Sequence, residues 1–185
     1  MHLPSLILAS QSPRRRELLT IAGIPFTVRA QPVEEVRAPD EDPEAYVRRL
    51  ACEKAEAVYN DAKEIVLGAD TTVVLEGEVF EKPRDAADAF RMLTRLSGRE
   101  HRVITGICLR HPGGAIVDAE TTRVRFASME YREIEDYVAS GEPMDKAGAY
   151  AIQGLGSKFV ERIEGCYFNV MGLPLSLVYR HLKAL

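Results

Sequence analysis

The sequence predicts one α/β domain over residues 1–185, with a mixed sheet flanked by helices and two lobes around a cleft. Three observations predict this class. The first two are short apolar runs typical of buried strands, and intervening segments whose apolar residues recur at helical spacing. The third is that no internal repeat, low-complexity tract or linker interrupts their alternation. A chain of 185 residues corresponds to about one domain and can bury a core without metal or disulfide support.

Each element is predicted from a local pattern. Ser12 can cap the first helix, Pro13 suits its first position, and Gly23 suits its exit. Asp42 and Pro43 mark the start of the second helix. Strands are predicted over residues 6–9, 26–29, 65–69, 72–75, 78–80, 101–109, 115–126, 149–152 and 158–163, with tight turns at 76–77 and 111–114; helices over 13–22, 43–60, 86–96, 129–140 and 174–182; and a loop over 31–42.

Composition and charge exclude several classes of function. The chain has 24 Lys and Arg against 28 Asp and Glu, a net charge of −4. This weak acidity argues against a nucleic-acid or membrane partner. Scattered histidines and three distant cysteines (Cys52, Cys108 and Cys166) give no metal-ligand spacing or disulfide framework. The apolar run at 6–9 is too short for a signal peptide or membrane span, so we expect a cytoplasmic protein.

The turn between the first predicted strand and helix combines two serines, Ser10 and Ser12, with Arg14 and Arg15. Free N–H groups and the positive dipole end of a helix attract anions, so these side chains can form a phosphate clamp. The alternative is that Ser12 only caps the helix and the arginines are solvated. Because a helix start disfavours cations, the arginines favour an anionic partner.

Lys54 interrupts the apolar stripe of the second predicted helix, between Leu50 and Val58. Its side chain can either extend along the surface to water or project into a cleft toward phosphate oxygens.

Asp70 follows the predicted strand 65–69, a position where α/β folds often place functional carboxylates. The alternative is an aspartate that simply turns the chain. Lys82 adds a cation a few residues further on. In the stretch 145–154, glycines and small residues allow either close approach to a ligand or a tightly packed turn. Together these residues favour a phosphate-binding α/β enzyme with metal-assisted phosphoryl chemistry.

In these segments the chain resembles the Maf family of nucleoside triphosphate pyrophosphatases. The resemblance extends from Leu6 to the last predicted helix. It rests on LASQSPRR at 8–15, ELL at 17–19, EKA at 53–55, GADT at 68–71, KP at 82–83, LSG at 96–98, GEPMDKAGAY at 141–150, IQG at 152–154 and GLPL at 172–175.

The resemblance implies a fold similar to the inosine triphosphate pyrophosphatases and hydrolysis of a nucleoside triphosphate to its monophosphate and pyrophosphate. It also implies a divalent metal cofactor (Mg²⁺, Mn²⁺ or Co²⁺), a cytoplasmic protein, a homodimer, and a link to inhibition of septum formation. The alternative is a regulatory protein of cell division that senses nucleotides without hydrolysing them. Because such a sensor needs no base, the presence of Asp70 together with Lys54, Lys82 and both arginines favours the enzyme.

The resemblance also implies roles for individual residues. Asp70 would be the general base or water-orienting carboxylate. Glu35 with Asp70 would bind the metal, although the adjacent Glu34 is the alternative to Glu35. The expected phosphate ligands are Ser10, Arg14, Arg15, Lys54 and Lys82.

Base preference would follow from Arg14, Thr71 and Gln153, which match the dTTP- and UTP-preferring group of the family. An amide such as Gln153 can donate to O4 and accept from N3–H of thymine or uracil, whereas an ionised glutamate cannot donate. The 7-methyl-GTP group has an aromatic residue, a Gln and a Glu at these positions. Glu81 departs from the glycine that many members have before the Lys-Pro pair.

Overall fold

The computed structural model of the protein describes residues 4–61 and 63–185. Within them the strands are β1 (Leu6–Leu8), β2 (Phe26–Val28), β3 (Val66–Leu75), β4 (Glu78–Phe80), β5 (Glu100–His111), β6 (Gly114–Phe126) and β7 (Val160–Glu164). The α-helices are α1 (Pro13–Ile21), α2 (Pro43–Glu56), α3 (Ala86–Leu96), α4 (Tyr131–Ala139), α5 (Tyr167–Val170) and α6 (Leu175–Leu182). Short 3₁₀ segments cover Glu142–Asp145, Ala147–Ala149 and Leu155–Phe159.

The described strands form one seven-stranded sheet with both parallel and antiparallel pairs. Its order is β2-β1-β3-β5-β6-β7, and β4 pairs with β3. β1 is parallel to β2 and to β3, whereas β3–β4 and β6–β7 are antiparallel. The predicted mixed sheet with flanking helices is therefore confirmed.

The chain divides into two compact units, and β3, β5 and β6 have residues in both. The first unit contains the chain up to Thr71, Thr105–Glu120 and Gly172–Leu185, and the second contains Thr72–Ile104 and Thr121–Met171. The prediction of one domain over residues 1–185 stays a prediction.

In the first unit, α2 packs closely on the sheet because two strand positions lack a side chain. A Cβ built at Gly68 of β3 would lie 1.9 Å from the Ala51 carbonyl oxygen, and one at Gly106 of β5 would lie 2.4 Å from that of Val47. No side chain fits in these gaps, so the helix backbone lies directly against the strands. Asp42 fixes the start of α2 by accepting hydrogen bonds from two backbone N–H groups of its first turn.

In the second unit, α3 packs against α4, and aromatic side chains fill part of the core. Phe126 and Tyr150 contact each other with ring centroids 4.7 Å apart. His101 lies 4.9 Å from the Phe126 ring centre, and its Nε2 is 2.9 Å from the Tyr150 hydroxyl. Burial lowers the pKa of His101 to about 3, so this imidazole is neutral in the folded protein.

Several predicted boundaries are wrong. β3 continues through Asp70, so this carboxylate lies inside a strand and not at its end. The stretch 149–152 is not a strand, because Ala149 has a positive φ of 59° and ends a 3₁₀ segment. α2 ends at Glu56 instead of residue 60, and the last strand is shifted to Val160–Glu164.

Among the described residues, no helix is long and apolar enough to cross a membrane.

Candidate active site

The first unit brings a lysine and two acids from separate segments into contact. Lys54 Nζ on α2 lies 2.6 Å from Asp70 Oδ1 on β3 and 2.7 Å from Glu35 Oε1 in the loop before α2. The Lys54 side chain is 13% exposed and that of Asp70 11%. Of the two readings of Lys54, the surface-extended one is wrong, because its ammonium is held between two carboxylates.

The close packing of α2 on β3 explains how Lys54 reaches Asp70. Ala51, whose carbonyl oxygen faces Gly68, precedes Lys54 by three residues on α2. Asp70 follows Gly68 by two residues on β3, on the same face of the strand. The close approach of Ala51 to Gly68 thus brings the Lys54 ammonium within reach of the Asp70 carboxylate.

Glu35 is held near Lys54 by Arg49, another residue of α2. The Arg49 guanidinium donates to the Val36 carbonyl at 3.0 Å and to both Glu41 oxygens at 2.8 Å. The acidic loop is therefore bound to α2 at Val36, the residue that follows Glu35. Glu34 is exposed. Its assignment as the alternative acid stays open, but the Lys54 contact favours Glu35.

The electrostatics of this cluster suit a proton acceptor. Burial, the largest influence, raises the pKa of Asp70, and Glu35 adds to the rise. The Lys54 ammonium and the Arg15 guanidinium oppose it without cancelling it. A carboxylate with raised proton affinity is better matched to accept a proton near neutral pH than an ordinary aspartate.

Arg15 is buried and donates four hydrogen bonds within the first unit. Its Nη1 donates to the Ala69 carbonyl at 2.8 Å and to Ser10 Oγ at 3.2 Å. Its Nε donates to the Gly172 carbonyl at 2.8 Å, and its Nη2 to Thr71 Oγ1 at 3.1 Å. Two of these acceptors flank Asp70, so Arg15 fixes the backbone on which that carboxylate sits. Its predicted role as a phosphate ligand stays a prediction.

Ser12 differs from its predicted role, and the sequence did not indicate Thr105 of β5. Ser12 makes no side-chain cap to α1; its backbone N–H instead donates to Ser10 Oγ at 3.2 Å. Thr105 was not selected from the sequence, yet its hydroxyl is 2.9 Å from that of Thr71. The signal available in the sequence was a threonine inside the apolar run of 103–109, and the structure shows that Thr105 is fully buried there.

The donor set fits a hard divalent cation. Glu35 and Asp70 supply carboxylate oxygens, and their joint contact with the Lys54 ammonium shows that both can face one positive centre. Mg²⁺ typically uses only one or two carboxylates together with substrate phosphates. In the parts of the chain described, no group of three or more His, Cys, Asp or Glu side chains is placed to hold a metal alone.

Two predicted site residues belong to the second unit. Lys82, two residues after the end of β4, and Gln153, between two 3₁₀ segments, are both exposed. The Glu81 carbonyl accepts a hydrogen bond from Gly148 N–H at 3.1 Å, which fixes the chain beside Lys82. Arg14, in the first unit, is half-buried at the start of α1. Their assigned contacts with a substrate stay predictions.

The sequence is similar to those of known proteins. The family described as Maf-like protein matches residues 5–185. A Koribacter versatilis protein named dTTP/UTP pyrophosphatase is 54% identical over 179 residues, covering 96% of this chain and 93% of that protein. A Shigella dysenteriae protein of the same name is 50% identical over 183 residues, covering 98% and 93%.

Among solved structures, the Ham1 protein of Staphylococcus aureus covers 98% of this chain and 99% of its own, with a TM-score of 0.52 and 14% identity. At this low identity the likeness concerns the fold alone. The family match over nearly the whole sequence, together with relatives that share half of their residues with it, carries the assignment: the chain belongs to the Maf family.

Proposed function

We propose that this protein hydrolyses dTTP and UTP to the nucleoside monophosphate and pyrophosphate. The observation that carries the proposal is the Asp70–Lys54–Glu35 cluster, whose first two side chains are largely buried, in a chain about half identical to proteins named dTTP/UTP pyrophosphatase. Such a cluster combines a proton acceptor, a cation and a second acid, and these groups can activate water and balance charge in the hydrolysis of a phosphoanhydride.

Asp70 is the proposed general base, or the carboxylate that orients water toward the α-phosphorus. The raised pKa of Asp70 comes from burial and gives its oxygen the proton affinity that this role needs. Attack at the α-phosphorus leaves pyrophosphate, and the water oxygen stays in the monophosphate.

The cations of the site balance the charge of the substrate. A nucleoside triphosphate carries about four negative charges, and charge-assisted hydrogen bonds from Arg and Lys stabilise such oxygens. We assign this role to Ser10, Arg14, Arg15, Lys54 and Lys82. Lys54, now shared by two carboxylates, would exchange one of them for a phosphate oxygen. Glu35 and Asp70 would hold a divalent ion, which when bound neutralises charge on the phosphates and the leaving group.

Base selection is assigned to Arg14, Thr71 and Gln153. The exposed Gln153 amide can donate to O4 and accept from N3–H of thymine or uracil. A wrong base leaves a polar group unpaired at a cost of about 1–3 kcal/mol, or roughly ten- to over a hundredfold in selectivity. The preference for dTTP and UTP over CTP and purine triphosphates follows from this difference.

The proposed setting is the cytoplasm, with a nucleoside triphosphate as the only ligand class besides the metal and with a homodimer as the assembly. The net charge of −4 gives little attraction to nucleic acid or anionic membranes. The cysteines described (Cys52, Cys108 and Cys166) are free thiols, as in a reducing compartment.

The test is a screen of nucleoside triphosphates at equal subsaturating concentration with Mg²⁺ or Mn²⁺, resolving pyrophosphate from orthophosphate. The proposal expects dTTP and UTP to react fastest and to release pyrophosphate. Faster hydrolysis of 7-methyl-GTP would contradict the base preference, and release of orthophosphate alone would contradict the reaction.

A further inference from the structure

Glu142, in the second unit, has a carboxylate surrounded by hydrogen-bond donors. Its Oε1 accepts from the Tyr137 hydroxyl at 2.8 Å and from Gly156 N–H at 3.1 Å. Its Oε2 accepts from Leu155 N–H at 2.9 Å. Two of the three donors are therefore backbone groups of the segment that directly follows Gln153.

The same network also holds the chain before Gln153. The Tyr137 hydroxyl, which donates to Glu142, accepts a hydrogen bond from Ala151 N–H at 3.1 Å. The segment 151–156 is thus fastened at both ends to one tyrosine–glutamate pair. Between these points Ile152 is buried while Gln153 is exposed, so the anchors fix the backbone on both sides of an exposed side chain.

Gly154 completes the arrangement by making room for the carboxylate. A Cβ built on this residue would lie 2.2 Å from Glu142 Oε2. Burial alone would raise the pKa of Glu142, but hydrogen bonds from Leu155, Tyr137 and Gly156 reverse this and lower it. Glu142 is therefore an anion whose oxygens are committed to the chain around Gln153.

We propose that Glu142 is a positioning residue for base selection: its carboxylate holds the segment 151–156 so that the Gln153 amide meets the thymine or uracil edge. This inference rests on the proposed function. Glu142 acts on the substrate only through Gln153. Its loss therefore weakens selection of the base more than it slows the reaction step.

Glu142→Gln is the first test, because an amide in this place cannot accept from all three donors at once. The measured quantity is the ratio of kcat/KM for dTTP to that for CTP, in which the fraction of active enzyme cancels. We expect this ratio to fall at least about fivefold, through a higher KM for dTTP with kcat changed less than about threefold. Gly154→Ala displaces the same carboxylate without changing Glu142 and should lower the ratio in the same way.

Glu133→Gln is the matched control. The Glu133 carboxylate lies in the same unit and also accepts a backbone N–H, that of Glu130 at 2.9 Å, but it has no contact with the segment 151–156 among its described bonds. The ratio of kcat/KM for dTTP to that for CTP in Glu133→Gln should equal that of the unmodified protein. Hydrogen exchange at the Leu155 and Gly156 amides should accelerate in Glu142→Gln and stay unchanged in Glu133→Gln.

The double variant Glu142→Gln/Gln153→Ala separates the possible outcomes. If Glu142 acts through Gln153, the double variant loses no more selectivity than Gln153→Ala alone. Multiplied losses, or an unchanged ratio in Glu142→Gln while Gln153→Ala lowers it, would overturn the inference and leave the proposed function standing. An unchanged ratio in Gln153→Ala would instead remove the proposed base contact, and this inference with it.

Discussion

Two carboxylates of this protein, Asp70 and Glu142, differ in what binds them. The donor to Asp70 is one ammonium, Lys54, which also serves Glu35. Glu142 accepts from three neutral groups that no other acid shares among its described contacts. Burial raises the pKa of Asp70, whereas the hydrogen bonds of Glu142 lower the pKa of that residue. Asp70, which shares its one cation with Glu35, retains the raised proton affinity that a general base needs. Glu142, whose oxygens accept three hydrogen bonds, instead stabilises the local conformation of the chain.

The largest effect that this comparison predicts is on turnover when Asp70 loses its charge. Asp70→Asn keeps the shape of the side chain but cannot accept a proton, so we expect dTTP turnover to fall about 10²–10⁴-fold. The assay is pyrophosphate release under saturating substrate. Asp42→Asn is the control, since asparagine caps a helix as well as aspartate does. Near-normal turnover in Asp70→Asn would end its assignment as the base.

Removing the shared cation should come next in size. Lys54→Met keeps most of the stem and leaves Asp70 and Glu35 facing each other without their ammonium. We expect kcat/KM for dTTP to fall at least about 100-fold, because the triphosphate then meets two uncompensated acids. Lys183→Met, an exposed lysine of the same unit, should stay within about twofold. A lower melting temperature with unchanged kcat/KM would show that Lys54 has only a structural role.

Arg15 resembles Glu142 in that its hydrogen bonds are made to other groups of the protein. Four of them are described, to Ser10, Ala69, Thr71 and Gly172. Arg15→Lys keeps the charge but cannot reach all four acceptors, so we expect the free energy of unfolding to fall by about 2–3 kcal/mol. Urea unfolding measures this, with Arg14→Lys as the smaller-effect comparison. A stable Arg15→Lys variant with a raised KM for dTTP would mean that Arg15 serves the phosphates first.

The smallest expected effect concerns the neutral His101 of the second unit. Its folded pKa of about 3 lies below the unfolded value of about 6.5, so the unfolded chain binds more protons and stability falls as the pH drops through this window. Between about pH 7.5 and about pH 5, the unmodified protein should lose about 2 kcal/mol more than His101→Gln. Urea unfolding at both pH values measures the loss, and His111→Gln should behave like the unmodified protein. Equal losses in all three would contradict a buried neutral His101.

Local features of the fold could be predicted from the sequence because they depend on adjacent residues. Asp42 and Pro43 begin α2 as expected, and Glu76 and Gly77 form the hairpin turn with positive φ angles of 52° and 86°. The predicted end of a strand at Asp70 is wrong because a polar residue inside a strand resembles a strand end when its neighbours across the sheet are unknown.

The sequence indicated which residues form the candidate site, but it did not show which of them contact one another. Lys54, Asp70 and Glu35 were each selected, yet only the packing of α2 against Gly68 brings them together. Arg15 contacts a carbonyl 157 positions away, a distance in sequence at which spacing carries no information about hydrogen bonds. Glu142 lies in the stretch GEPMDKAGAY at 141–150, but a sequence does not show which hydrogen-bond donors surround its carboxylate in the folded chain.

The most direct test of the central claim is hydrolysis of dTTP in ¹⁸O-labelled water, with mass spectrometry of both products. Attack on the α-phosphorus, directed by Asp70, predicts one labelled oxygen in dTMP and unlabelled pyrophosphate in equal amount. Label in pyrophosphate, or release of orthophosphate and dTDP, would contradict the account.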